Sequence, residues 1–245
     1  MPGATLTLGL NTFTLNPPSG SGVTVTNPSS ARFEVSTSST AVTPLVVNTS
    51  TNPSQSTPSH TVTFKTALGS VNVDTTLSDP NVIDAGDRIS FEQNVASAKV
   101  QAGDPTRRAF SASGDTVTFS GTLGADSSIL TGSGRDSIVF ASNAANAYQG
   151  TVGQALVNAG SGADSIRFSS STMVGSNILI DFGTQGNSDL DILFGAARST
   201  FQNSGLQIRN FTQGFDQVRI GSSTLRTQAE INTFFADSGG SIRLV

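Results

Sequence analysis

One five-residue string constrains the fold more than anything else in this chain. Asp-x-Ile/Val-x-Phe occurs four times, at Asp87-Ile89-Phe91, Asp115-Val117-Phe119, Asp136-Ile138-Phe140 and Asp164-Ile166-Phe168. With 14 Asp and 15 Phe in 245 residues, chance supplies about 0.1 such strings. Weaker relatives follow at Asp191-Leu193-Gly195 and Asp216-Val218-Ile220. The central apolar residues are therefore spaced by 28, 21, 28, 27 and 25. Stepping back by a similar interval reaches Val62, Val35 and Leu8, which lack the preceding Asp.

Each copy alternates apolar and polar residues, the pattern of a half-buried strand. A Gly/Ser/Asp turn precedes it. A single strand-turn unit cannot bury its own apolar face, but units stacked one strand spacing apart can. The expectation is an all-β parallel solenoid of about 25–28 residues per coil, with about three short strands per coil. A β-sandwich, whose strands recur every 8–12 residues, is the competing architecture. The Phe residues at coil spacing, 91, 119, 140 and 168, with Phe182, Phe194 and Phe211, read as an internal stack.

The flanks differ from the middle. Residues 1–80 form a Ser/Thr/Pro-rich region of short Thr/Val alternations broken by Pro-marked turns, read as β structure that contacts another subunit. Residues 81–221 carry the repeats. Residues 222–245 read as a cap, because Thr227-Gln-Ala-Glu230 is a capping box opening a short helix. A cap suits a solenoid, whose last coil otherwise leaves an open edge.

Composition narrows the function. Only 12% of residues are charged, about half the usual share. Ser (36) and Thr (30) fill the gap. The net charge of −4 argues against general nucleic-acid binding. No Cys is present, which removes disulfides and thiolate metal sites. No apolar run approaches the ~20 residues of a membrane helix, and the first residues lack the features of a Sec signal. The single His, His60, reads as an inert loop residue before the strand TVTF. Arg107-Arg108 reads as a solvated loop pair. Asp189 and Asp191, at i and i+2, are the one candidate acid pair for a β-helical enzyme acting on polysaccharides. No Trp is available to stack a sugar.

The turns at Thr131-Gly-Ser-Gly-Arg-Asp136-Ser-Ile138 and Ala159-Gly-Ser-Gly-Ala-Asp164-Ser-Ile166 resemble the RTX (haemolysin-type) repeat, Gly-Gly-x-Gly-x-Asp-x-apolar-x. The first Gly is replaced by Thr131 and Ala159. The resemblance extends weakly over residues 84–220. It implies Ca²⁺ held between stacked turns, with Asp136 and Asp164 as carboxylate ligands and carbonyls from Gly132, Gly134, Gly160 and Gly162. Hard oxygen donors and inward-turned glycine carbonyls suit calcium. The same Gly-x-Asp string also makes a tight turn whose Asp accepts backbone N–H bonds.

Two functional classes follow. The first is a non-catalytic structural or assembly protein on a large particle or cell surface: a virion decoration or fibre protein, or a surface-layer subunit. It would associate with other protein subunits, as a homo-oligomer or larger assembly. The second, implied by the resemblance, is a secreted calcium-binding adhesin-like module. A polysaccharide-acting enzyme is third.

Overall fold

The computed structural model describes residues 4–8, 11–16, 23–26, 32–37, 45–51, 59–76, 86–103, 114–124, 127–141, 156–169, 178–183, 189–201, 205–237 and 241–245. The strands are β1 (Ala4–Leu8), β2 (Asn11–Asn16), β3 (Val23–Thr26), β4 (Arg32–Thr37), β5 (Leu45–Thr51), β6 (Thr61–Phe64) and β7 (Leu68–Asp74). There follow β8 (Arg88–Phe91), β9 (Val95–Gln101), β10 (Thr116–Phe119), β11 (Ser128–Leu130), β12 (Ser137–Phe140), β13 (Leu156–Asn158) and β14 (Ser165–Phe168). The last are β15 (Leu179–Asp181), β16 (Ile192–Gly195), β17 (Gly205–Arg209), β18 (Gln217–Ile220), β19 (Ser223–Leu225) and β20 (Ser241–Leu244). The one α-helix among the described residues is α1 (Gln228–Phe235), and a short 3-10 helix spans Arg198–Phe201.

The strands form two sheets, β1-β2-β5-β7-β9-β11-β13-β15-β17-β20 and β3-β4-β6-β8-β10-β12-β14-β16-β18-β19, so between β4 and β18 even- and odd-numbered strands alternate between them. From β4 to β18 the even strands pair in parallel, each with the one two places on. From β5 to β17 the odd strands do the same, and β20 completes that sheet. The chain is thus a parallel β-solenoid. Seven strand-to-strand steps of about 4.8 Å give a stack of roughly 34 Å.

Among the described residues each coil has two strands, where three are expected. The tight turn 131–136 carries the chain straight from one sheet to the other. The glycine at 132 (φ 95°) and that at 134 (φ 139°) break the extended conformation on either side of Ser133. Within this turn an isolated parallel bridge joins Ser133 to Ser161 of the next coil.

The repeats pair in the register their spacing implies: Val62, Ile89, Val117, Ile138, Ile166, Leu193 and Val218 lie level in successive rungs. All are fully buried. One rung earlier the equivalent is Phe33, not Val35, which instead lies level with Phe64. Leu8 falls in the other sheet, in the antiparallel β1–β2 pair.

Two residues on, the rings of Phe64, Phe91, Phe119, Phe140 and Phe168 stack nearly parallel, with centroids 4.6 to 5.6 Å apart. Such contacts add about 0.5–1.5 kcal/mol per pair beyond burial. The next rung has Gly195 at this position. Its space is filled by Phe201, whose ring meets Phe168 edge-on at 5.8 Å. Phe182 and Phe211 pair separately, with centroids 6.2 Å apart. Phe194 is not in the stack: it is half-buried on the outer face, with Arg167 and Arg219 guanidiniums 5.9 and 5.6 Å from its centroid.

At the C-terminal end β19 turns back antiparallel on β18. The capping box is present: Thr227 Oγ1 accepts from the Glu230 N–H, and Glu230 Oε2 accepts from the Thr227 N–H. α1 buries Ile231 and Phe235 against the last coil.

Candidate functional site: a buried carboxylate ladder and its glycine turns

The Asp that opens each repeat lies one residue before its strand, at the corner where the chain enters the even-numbered sheet. There the regular backbone ladder ends, and each buried N–H still needs an acceptor. The carboxylate of the next coil supplies it. Asp87, Asp115, Asp136, Asp164 and Asp191 each donate their backbone N–H to Oδ1 of the following Asp, at 2.6, 2.7, 2.8, 2.8 and 3.1 Å. The sequence separations along this row are 28, 21, 28, 27 and 25, the same steps as the motif. The row ends at Asp216, whose Oδ2 accepts from the Thr212 N–H at 2.6 Å.

It begins at His60, where the sequence reading was wrong. His60 is fully buried, not an exposed loop residue. Its N–H donates to Asp87 Oδ1 at 2.6 Å, and its Nδ1 lies 3.1 Å from the same oxygen. His60-Thr-Val62-Thr-Phe64 is thus a repeat with His in the Asp position. The signal was the match of HTVTF to Asp115-Thr-Val-Thr-Phe119.

All six carboxylates are buried. Two unit charges one strand spacing apart, about 4.8 Å, repel by roughly 3 kcal/mol at an effective dielectric near 20. Burial also penalises the charged form. Burial is the main cause that pushes the Asp164 carboxyl up to about 9, with the charges of Asp136, Asp191 and Asp189 adding to it. Burial likewise pushes Asp136 up to about 6, against hydrogen bonds from the Asp115 N–H and Thr131. Asp216 is raised for the same first reason. Asp164 Oδ2 is buried without a hydrogen-bond partner, as are Asp87 Oδ2 and Asp136 Oδ2.

The glycine turns stack by direct backbone contact. The Gly134 N–H donates to Ser161 O at 2.9 Å, and the Ser161 N–H to Gly132 O at 2.8 Å. Gly160 (φ 89°) and Gly162 (φ 133°) sit so close beneath their neighbours that a Cβ would lie 1.5 Å from Gly132 O and 1.6 Å from Gly134 O. Only glycine fits.

Calcium takes six to eight oxygens at 2.3–2.6 Å. Here Oδ1 of Asp136 and Asp164 and the Gly132 carbonyl are engaged with backbone N–H groups of the adjoining coil. Among the described residues no three His, Asp or Glu side chains form a group able to hold a metal. Asp136, Asp164, Gly132, Gly134, Gly160 and Gly162 are brought together as the resemblance implies. The Asp136 and Asp164 Oδ1 atoms and the Gly132 carbonyl are members of the hydrogen-bonded stack.

The acid pair Asp189 and Asp191 does not lie on one outer strand face. Both precede β16, so strand alternation does not apply to them, and Asp191 is a buried rung of the ladder. Arg107-Arg108 lies outside the described residues. No helix among the described residues is long and apolar enough to cross a membrane. Comparison with protein-family models, curated proteins and solved structures finds no match to the chain.

Proposed function

We propose that this chain is a non-catalytic structural and assembly subunit, displayed on a large particle or cell surface. Virion decoration or fibre proteins and surface-layer subunits are the kinds of protein meant. The carboxylate ladder carries the reading. Six acidic side chains, Asp191 of the candidate pair among them, are turned inward and accept from backbone N–H groups. The rod they hold has a sparsely charged, Ser/Thr-rich composition, suited to lateral packing against other subunits.

The test is location and turnover together. Antibody raised against the purified chain should decorate intact particles or cells from the source. The protein should release no reducing ends from acidic or neutral polysaccharides. Recovery of the chain only inside lysed cells, or saccharide cleavage lost in Asp189→Asn, would overturn it.

A secreted calcium-binding module is the second reading. The left-handed glycines at 132, 134, 160 and 162 favour it, since this is the turn geometry that aims carbonyls inward. It requires a calcium-dependent change in stability.

A further inference from the structure

The two ends of the solenoid are built differently. At the C-terminal end, β19 folds back on β18, and α1 runs between β19 and β20 with Ile231 and Phe235 buried. Exposed charges lie there, Arg226 and Arg243. At the N-terminal end the outermost strands are β1 in one sheet and β3 in the other, each paired on one side only among the described strands. Among the described residues, each leaves a row of backbone N–H and C=O groups along its outer edge.

Free sheet edges are normally guarded by charged residues, Pro or bulges. These are not. Residues 1–31 contain no Asp, Glu, Lys, Arg or His, and up to residue 59 the only charged side chains are Arg32 and Glu34. Glu34 already has a neighbour in Lys65, 3.6 Å away. Edge strands β1 (ATLTL) and β3 (VTVT) contain neither charge nor Pro.

We infer that β1 and β3 dock edge to edge on the same strands of a second copy, joining two solenoids head to head. This rests on the assembly reading above and names its first partner. A two-fold axis normal to the sheets pairs β1, or β3, with its own copy, antiparallel. That is the sense in which such an axis pairs a strand with its own copy, and β1–β2 and β3–β4 already pair that way. Alternating Thr and Leu or Val match themselves across the seam. Head-to-tail stacking would instead set this edge against α1 and β19. The contact therefore closes at two copies and does not grow a fibre.

Sedimentation velocity on the full chain across micromolar concentrations reads the result. The parent should sediment as a dimer. Thr5→Lys/Thr7→Lys and, independently, Thr24→Lys should shift it to monomer with unchanged circular dichroism and melting. Thr224→Lys, on exposed β19, should stay dimeric. A monomeric parent at 100-fold dilution steps up to the solubility limit, or a dimer that survives both edge variants, overturns the inference. A surface-displayed monomer would fail this inference and leave the assembly reading standing. A dimer recovered only inside cells would do the reverse.

Discussion

Replacing Asp164 by Asn should flatten the pH dependence of stability. The Asp164 carboxyl has its folded-state pKa pushed up to about 9 from 3.8, chiefly by burial. Between those values the folded chain binds a proton that the unfolded chain releases. Stability therefore falls as pH rises, by about 1.4 kcal/mol per pH unit. From pH 5 to pH 7 this group alone removes roughly 3 kcal/mol. Asp136, pushed up to about 6, removes about 1.3 kcal/mol more between pH 5 and 7. For a chain of this size 1 kcal/mol moves Tm by roughly 2–4 °C, so the parent should melt about 9–17 °C lower at pH 7 than at pH 5. Asn keeps the oxygen that accepts the Asp136 N–H and has no proton to lose. Asp164→Asn should therefore match the parent near pH 5 and exceed it at pH 7, with the slope reduced by about 1.4 kcal/mol per unit. Urea unfolding at half-unit pH steps measures it. A parent whose stability rises from pH 5 to 7, or identical slopes for the two proteins, would refute a protonated Asp164 carboxyl.

Phe119→Ala empties the middle of the ring stack, between Phe91 and Phe140, and should cost about 3–5 kcal/mol in urea unfolding. Gly160→Ala drives a methyl into the Gly132 carbonyl at positive φ, whereas Gly221 (φ 57°) has its nearest atom 3.6 Å away. Gly221→Ala should thus cost only the left-handed penalty of about 1–2 kcal/mol, and Gly160→Ala clearly more, as thermal unfolding will show. Thr227→Ala removes the acceptor for the Glu230 N–H and should lower stability by about 1 kcal/mol. Its first sign should be faster amide exchange in α1.

The sequence made the solenoid legible because one side-chain pattern recurs where each coil enters the even-numbered sheet. Burial of Ile89, Val117, Ile138 and Ile166 and the ring stack both follow from a two-residue alternation at fixed spacing. The cap was legible from four residues, Thr227 to Glu230. Two things were hidden. The rank of Asp as a buried ladder was not visible, because Gly-x-Asp also describes an exposed turn; only register shows that Oδ1 meets the N–H of another coil. The fate of Phe194 was hidden because it stands one residue past Leu193 and so faces outward, where Arg167 and Arg219 flank it. His60 was misread for a different reason: its repeat was recognised by Val62, but a Pro-rich segment before it suggested a loop.

Thermal unfolding in excess EDTA, then with millimolar calcium restored, tests the scaffold reading of the Gly-Asp turns most directly. A ligand at 100 times its Kd adds about 2.7 kcal/mol, a rise of roughly 5–11 °C here. The expected result is superimposable curves, because Asp136 and Asp164 are held by backbone N–H groups and need no metal. A melting point that falls in EDTA and is restored by calcium but not magnesium would contradict it, and would make Asp136 and Asp164 ligands after all.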